Sequence, residues 1–97
     1  LPQYPAVEHD LAIVVDNTVT CEDLERRITS AGGKLLEGVR LFDVYRDPIR
    51  IGAGKKSMAF ALTYRSDDHT LTSEEVEKAH QKIVTKVCKG VNGEVRG

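Results

Sequence analysis

The chain has 97 residues, of which 40% are hydrophobic and 30% are charged, and its formal net charge at pH 7 is −1. This length and composition predict one soluble globular domain with a single core. The near-neutral charge argues against a strong, autonomous nucleic-acid binder, although it leaves room for a local basic patch. The longest apolar runs, 11–15 and 58–62, are far shorter than the ~18 residues that a membrane span requires.

The two cysteines, Cys21 and Cys88, lie far apart in the chain and belong to no C-x-x-C motif. We interpret them as structural thiols in a reducing cytoplasm, because neither a disulfide framework nor a zinc site is typical of this spacing. No metal site is predicted. The chain opens with Leu1 rather than Met, and two prolines follow within five residues. We therefore expect residues 1–97 to be a single domain of a longer protein.

The first half of the chain predicts a strand, a helix and a second strand. Residues 11–16 are rich in β-branched side chains, which favours a strand. Thr20 fits the N-cap of a helix, because acidic residues follow it in the first turn, where the helix dipole favours them. The apolar stripe of this helix is formed by Leu24, Ile28 and Ala31. Glycines 32–33 are expected to end the helix, and a strand is expected over 34–45.

The second half predicts a loop, a strand, a helix and a final short strand. The loop over 46–54 contains one proline and two glycines. Residues 56–65 alternate between large apolar and small side chains, which is typical of a strand with one buried face. Thr72 and Glu75 fit a capping box that opens the second helix, and Gly90 is expected to end it. The apolar face of that helix is formed by Val76, Ala79, Ile83 and Val87. The last strand is expected over 94–96.

The resulting order, β-α-β-β-α-β, predicts an α+β fold of the ferredoxin-like split βαβ type. Four mainly antiparallel strands would form the sheet, and the two helices would cover one of its faces because each helix has one apolar stripe. The other face of the sheet would remain open to solvent or to a ligand. We call it the open face.

Period-two alternation assigns each strand residue to the core or to the open face. The open face is predicted to carry Ala12, Asp43, Tyr45 and Ser57. The core face is predicted to carry Leu11, Ile13, Phe42, Val44 and Met58. Small side chains around a carboxylate, a phenol and a hydroxyl would let a flat ligand approach the sheet. The adjacent loop carries Arg46, Arg50, Lys55 and Lys56 against Asp47 alone, which makes it a candidate for phosphate contacts.

Catalytic chemistry has little support in the sequence. The three histidines fall on a strand start, a loop and a helix, and none is placed beside a nucleophile. Residues 52–57, Gly-Ala-Gly-Lys-Lys-Ser, lack the full G-x-x-x-x-G-K-[ST] pattern of a phosphate loop and lead into a strand rather than a helix. We therefore expect a binding domain without catalytic residues.

Several ordered motifs resemble one known family over essentially the whole chain. They are Tyr4-Pro5-Ala6-Val7, His9-Asp10-Leu11-Ala12, Leu41-Phe42-Asp43-Val44-Tyr45, Gly54-Lys55-Lys56-Ser57-Met58-Ala59-Phe60, Thr70-Leu71-Thr72, Glu74-Glu75-Val76 and Val95-Arg96-Gly97. Together they resemble the ferredoxin-fold anticodon-binding domain of phenylalanyl-tRNA synthetase. In bacteria such a domain ends the β chain, which is the expected parent here. The alternative parent is a single-chain enzyme of the mitochondrial type, and the sequence does not decide between the two.

The resemblance implies a function and partners that composition did not show. The domain would bind the anticodon stem-loop of phenylalanine tRNA, and Ala12, Asp43, Ser57 and neighbouring Tyr45 would read the first anticodon base, a guanine. The backbone contacts are expected from Arg46, Arg50, Lys55, Lys56 and Arg96. The parent would be a cytoplasmic heterotetramer of α and β chains that uses ATP and magnesium outside this domain, with no membrane partner.

Two departures from the family pattern stand out. His9 occupies a position where the family usually has Arg, and Asp47 occupies one where Gly is usual, in a loop that is one residue longer than in many relatives. A contact to RNA in these places would therefore differ from the family's. Two functions from other classes occur on the same topology, a small-molecule (amino-acid) regulatory module, which is the alternative kept, and an acylphosphatase-like enzyme. The fold alone does not separate these functions, but the Asp43–Ser57 face and the family motifs favour anticodon binding.

Overall fold

The computed structural model describes residues 4–96 and contains six elements. They are β1 (Val7–Asp16), α1 (Cys21–Gly32), β2 (Leu36–Tyr45), β3 (Lys55–Tyr64), α2 (Ser73–Val91) and β4 (Glu94–Val95). The strands form one sheet in the order β2-β3-β1-β4, and every paired strand runs antiparallel to its neighbour. The predicted ferredoxin-like α+β fold is confirmed.

Both helices begin at the predicted N-caps. The Thr20 side chain accepts a hydrogen bond from the backbone N–H of Asp23. At α2 the capping box is complete, because the Thr72 hydroxyl accepts from the backbone N–H of Glu75 while the Glu75 carboxylate accepts from that of Thr72. Helix α1 ends as expected at Gly33, which has a φ of 64°.

The predicted end of α2 at Gly90 is wrong. The helix continues to Val91, and Asn92 caps it in the left-handed conformation with a φ of 54°. Asparagine adopts this conformation more readily than most residues, so it can replace glycine at a C-cap. Gly90 lies inside the last turn of the helix, where a Cβ atom would lie 2.6 Å from a guanidinium nitrogen at the flexible end of the Arg27 side chain on α1.

The core lies between the sheet and the two helices. On β1 and β3 it follows the predicted alternation, with Leu11, Ile13, Val15, Met58, Phe60, Leu62 and Tyr64 at most 2% exposed. The helices contribute Leu24, Ile28, Val76, Ile83 and Val87 to the same cluster. The other face of β1 and β3 lies outside this cluster, as we expected from the single apolar stripe of each helix.

Strand β2 does not alternate regularly, and this corrects two core assignments. The register shifts between Leu41, which pairs with Phe60, and Asp43, which pairs with Ala59, so that Phe42 is an extra residue in a β-bulge. Phe42 is 48% exposed rather than buried. Val44 pairs with Met58, but on this edge strand it remains 37% exposed.

Candidate nucleic-acid interface

The strand register groups the predicted base-reading residues in two neighbouring rows across the open face. In the first row Asp43 lies opposite Ala59, and Ala59 lies opposite Ala12. In the second row Tyr45 lies opposite Ser57, and Ser57 lies opposite Val14. Same-face neighbours along a strand are ~7 Å apart and adjacent strands are ~5 Å apart. The residues Ala12, Asp43, Tyr45 and Ser57 therefore occupy one patch about the size of a nucleobase and its sugar.

The β2 bulge determines the chemistry of this patch. Leu41 packs against the core, so uninterrupted alternation would turn Asp43 toward the core as well. The extra residue, Phe42, reverses the phase, and Asp43 is exposed on the open face instead. Bulges commonly re-aim side chains next to binding sites. Here the bulge lets one strand supply a core residue and an exposed carboxylate two positions apart.

Arg96 covers part of the patch from the opposite edge of the sheet. Its backbone N–H donates to the carbonyl of Ala12 at 2.9 Å, which fixes the residue beside β1. Its guanidinium carbon lies 4.8 Å from the centroid of the Tyr45 ring on β2. Since β3 and β1 separate β2 from β4, the two side chains meet above the middle of the sheet.

Ser57 lies on the predicted face but is only 3% exposed. Ser57 pairs with Tyr45, and the contact between Tyr45 and Arg96 passes over β3, the strand that carries Ser57. The sequence predicted an accessible hydroxyl here, and in this respect the prediction is wrong. A ligand can reach Ser57 only if Arg96 or Tyr45 moves. By contrast Asp43 is exposed, and Ala12 is partly exposed.

Asp47 organises the loop that adjoins the patch. Its carboxylate accepts hydrogen bonds from the backbone N–H groups of Ile49 at 2.9 Å and Arg50 at 3.1 Å, and from the Tyr45 hydroxyl at 2.9 Å. These bonds, the Arg50 backbone N–H first, lower the pKa of Asp47. The same contact raises the pKa of Tyr45, because the phenol donates to a carboxylate. The residue that departs from the family pattern is thus built into the loop and holds Tyr45 in place.

The basic residues near the loop fall into two groups. Arg46, Arg50 and Lys55 are exposed, and the Nε atom of Arg46 donates to the side chain of Asn17 at 3.0 Å. Lys56 is different, because it pairs with fully buried Val15 on the helix-covered face and is only 8% exposed. The structure does not bring Lys56 together with the other predicted phosphate contacts.

His9, the other departure from the family pattern, belongs to a cluster beside α2. Its ring stacks on that of His80 with centroids 3.8 Å apart, and its Nε2 atom lies 2.9 Å from a carboxylate oxygen of Glu77. The Nδ1 atom of His80 lies 2.9 Å from the hydroxyl of Tyr64. Burial, and then the proximity of His9, lowers the pKa of His80, while burial raises the pKa of Tyr64 to about 12. These contacts connect β1, β3 and α2, and the two histidines line one depression together with Ala12 and Arg96.

Among residues 4–96, no three His, Cys, Asp or Glu side chains are grouped so as to hold a metal ion. Neither helix of this range combines the length and the apolar character that crossing a lipid bilayer demands. The two cysteines are both free thiols, and burial, followed by a hydrogen bond to Glu25, raises the pKa of Cys21 to about 11. Such a thiol is a poor nucleophile at neutral pH.

The sequence missed the roles of Asp47 and of the Tyr45–Arg96 contact. An Asp followed by Pro two residues after a strand is a turn signal, and it could have indicated the hydrogen bonds of Asp47. The contact between Tyr45 and Arg96 joins residues about fifty positions apart in the chain. No local pattern encodes such a contact.

Comparison with known proteins identifies the family to which this fold and surface belong. The ferredoxin-fold anticodon binding domain family matches residues 2–96. A phenylalanine–tRNA ligase beta subunit of Clostridium tetani is 46% identical over 96 residues, which is 99% of this chain and 12% of the relative. One of Bacillus subtilis is 51% identical over 84 residues, or 87% of this chain and 10% of the relative.

A third beta subunit, from Symbiobacterium thermophilum, is 47% identical over 96 residues, and this chain covers 10% of it. The chain thus spans about a tenth of the length of these relatives. Such relatives and the family match, together with the fold, lead to one conclusion. The chain is a member of the ferredoxin-fold anticodon binding domain family, and its curated homologues are bacterial phenylalanine–tRNA ligase beta subunits.

Proposed function

We propose that this chain binds the anticodon stem-loop of phenylalanine tRNA as a domain of a phenylalanine–tRNA ligase β subunit. The observation that carries the proposal is the register of the sheet, in which Asp43 and Tyr45 lie in rows adjacent to each other, with Ala12 and Ser57 in those same rows. Single-stranded loops suit such a surface, because their bases can turn outward and lie on a sheet.

Asp43 is the residue to which we assign base selection. The Watson–Crick edge of guanine presents two adjacent donors, N1–H and the 2-amino group, and one carboxylate can accept from both. Adenine presents an unprotonated N1 atom, whose lone pair would face the carboxylate. Bidentate contacts of this kind are worth ~1–3 kcal/mol of discrimination in DNA recognition. The exposure of Asp43 leaves the carboxylate accessible to such an edge.

Tyr45 and Arg96 would accommodate the base. A nucleobase that stacks on the Tyr45 ring must share or replace the position of the Arg96 guanidinium, which lies 4.8 Å from the ring centroid. Displacement frees the guanidinium to contact a phosphate and uncovers Ser57 for a hydrogen bond. Ala12 contributes by its small size, because a larger side chain in the Asp43 row would hold the base away from the sheet.

The phosphate contacts are assigned to the exposed basic residues beside the patch. Arg46, Arg50 and Lys55 are all exposed and flank the loop end of β2 and β3. Phosphate contacts position a nucleic acid without reading its sequence. Lys56 is left out of this set because of its burial on the other face.

The parent enzyme follows from the relatives rather than from the geometry. It would be a cytoplasmic ligase that joins phenylalanine to its tRNA with ATP and magnesium, assembled from α and β chains as a heterotetramer. This chain would supply RNA recognition, and catalysis would take place elsewhere in that enzyme.

An NMR titration tests the proposal. The isotope-labelled chain is titrated with a phenylalanine-tRNA anticodon stem-loop and with a version that carries adenine as the first anticodon base. We expect amide shifts centred on Ala12, Asp43, Tyr45 and Ser57 that are weaker with the adenine version. Shifts confined to Arg46, Arg50 and Lys55, and equal for both RNAs, would contradict base reading by this patch.

A further inference from the structure

A row of four lysines follows the outer side of α2. Lys78, Lys82, Lys86 and Lys89 are all exposed, and their spacing of four, four and three residues places them on one side of the helix. At 1.5 Å per residue the row is ~16 Å long. We call these four residues the lysine row.

Basic residues from other elements extend the row. Lys34, in the turn after α1, lines a depression together with Lys78 and Lys82. Arg26 and Arg27 of α1 line a second depression together with Lys86, but both form ion pairs with Asp23 of the same helix. Lys34 therefore adds to the positive surface, whereas Asp23 partly balances the charges of the two arginines, and the whole chain has a net charge of −1.

Neither internal pairing nor the helix dipole accounts for the lysine row. None of its lysines takes part in an ion pair within residues 4–96. From residue 78 to the end of α2 the helix contains no acidic residue. The helix dipole favours cations only in about the last turn, so it accounts for Lys89 but not for Lys78 and Lys82 in the middle of the helix.

The row lies on the opposite side of the molecule from the open face. The helices cover one face of the sheet, whereas Asp43 and Tyr45 belong to the other. One nucleotide therefore cannot contact both the open face and the lysine row. The row is therefore a second surface, separate from the open face.

We propose that the lysine row binds the phosphodiester backbone of RNA without regard to sequence. Lysines one helical turn apart are ~6 Å from each other, a spacing at which flexible ammonium groups can reach successive phosphates. Lysine is depleted in protein–protein interfaces, which makes a protein partner a poorer fit for four adjacent lysines. Sequence independence is expected because contacts from lysine ammonium groups to phosphates carry no base information.

The test uses a fluorescent twelve-nucleotide oligouridylate, which has no guanine for Asp43. Its binding to the chain is measured by anisotropy across a series of salt concentrations. Each phosphate contact to a single strand contributes ~0.7 to the slope of log K against log salt. The variant with Lys78→Gln, Lys82→Gln, Lys86→Gln and Lys89→Gln should lose about 3 from that slope and lose most affinity at low salt. The matched variant with arginine at all four positions should keep both.

Circular dichroism of each variant verifies that the helices remain folded. An unchanged slope in the glutamine variant would overturn the proposal. So would weakened association of that variant with the rest of its synthetase while oligouridylate binding stays intact, because the row would then be a protein-docking surface. The preference for guanine over adenine in an anticodon stem-loop is measured separately, so failure of the lysine row and failure of base reading at the open face give separate results.

Discussion

The guanidinium of Arg96 lies 4.8 Å from the centroid of the Tyr45 ring, although the two residues follow or end strands at opposite edges of the sheet. The contact spans β3 and β1 above the small side chains of the open face. Ser57, which pairs with Tyr45 on this face, is only 3% exposed although no helix covers it. The free chain therefore shields the surface that we propose reads a base.

Arg96→Ala should expose the Tyr45 ring and the side chain of Ser57. In NMR spectra the Tyr45 ring resonances should shift because the cation–π contact is lost. The Ser57 resonances should shift because the Arg96 side chain no longer lies above the open face. Arg50→Ala, at an exposed arginine of the neighbouring loop, serves as the control and should leave both unchanged. Identical Tyr45 and Ser57 resonances in Arg96→Ala and in the unsubstituted chain would refute the contact.

Asp47→Asn should lower the pKa of Tyr45 toward its ordinary value of 10.0, because the carboxylate that accepts from the phenol is the main reason that this pKa is raised. The backbone amides of Ile49 and Arg50 should also exchange faster with solvent, since their acceptor is weakened. A residue-resolved NMR titration of Tyr45 measures the first effect. Asp67→Asn, at an exposed aspartate outside the loop, should change neither, and an unaltered Tyr45 pKa in Asp47→Asn would contradict the assignment.

His80 should make the free energy of unfolding depend on pH below about 6.5. Burial and the neighbouring His9 depress its folded pKa, while Glu77 opposes them, and Tyr64 faces its Nδ1 atom. The unfolded chain therefore binds a proton at higher pH than the folded one. This contribution to stability is complete above the ordinary pKa of 6.5 and is lost as the pH falls through the folded pKa.

Urea unfolding between pH 5 and 8 measures this dependence. His80→Gln should reduce the slope on the acid side by at most ~1.4 kcal/mol per pH unit, the limit for one proton. His69 provides a control of opposite sign, because hydrogen bonds to Asp68 and Glu75 raise its pKa. Its contribution is present at low pH and is lost as the pH rises through the folded pKa. A slope unaffected by His80→Gln would show that another group titrates.

Thr72→Ala should destabilise the chain by ~1 kcal/mol, because it removes the side-chain acceptor of the α2 capping box. Thr72→Ser keeps an oxygen at the same place, so its free energy of unfolding should stay within a few tenths of a kcal/mol of that of the unsubstituted chain. Thermal or urea unfolding provides the comparison. Thr70→Ala, at an exposed residue before the helix, is the matched control. Equal losses for Thr70→Ala and Thr72→Ala would contradict the role of the cap.

The fold was predictable where local chemistry and tertiary packing agree. The caps at Thr20 and Thr72 are local patterns, and the structure confirms both. On β3 the large apolar side chains are buried as predicted, but Ser57 and Ala61 of the opposite face are buried as well. The end of α2 was not predictable in this way, because glycine is the more usual terminator, whereas here Asn92 adopts the left-handed conformation that caps the helix.

The placement of the candidate residues on the open face was predictable, but the geometry that produces it was not. The sequence placed Asp43 and Tyr45 on the open face by assuming regular alternation, which would bury Phe42. The structure reaches the same placement through a bulge that exposes Phe42, and the register shift depends on pairing with β3 rather than on any residue of β2 alone. The cover over Ser57 and the burial of Lys56 likewise arise from contacts between distant strands.

Base discrimination by Asp43 is the most direct test of the proposed function. Dissociation constants are measured for anticodon stem-loops that carry guanine or adenine as the first anticodon base, with the parent chain and with Asp43→Asn. The unsubstituted chain should prefer guanine by ~1–3 kcal/mol, that is roughly fivefold to more than a hundredfold. Asp43→Asn should lose most of this preference, because an amide offers only one acceptor to the two donors of guanine. Equal preference for guanine in both proteins would contradict base reading by Asp43 on the open face.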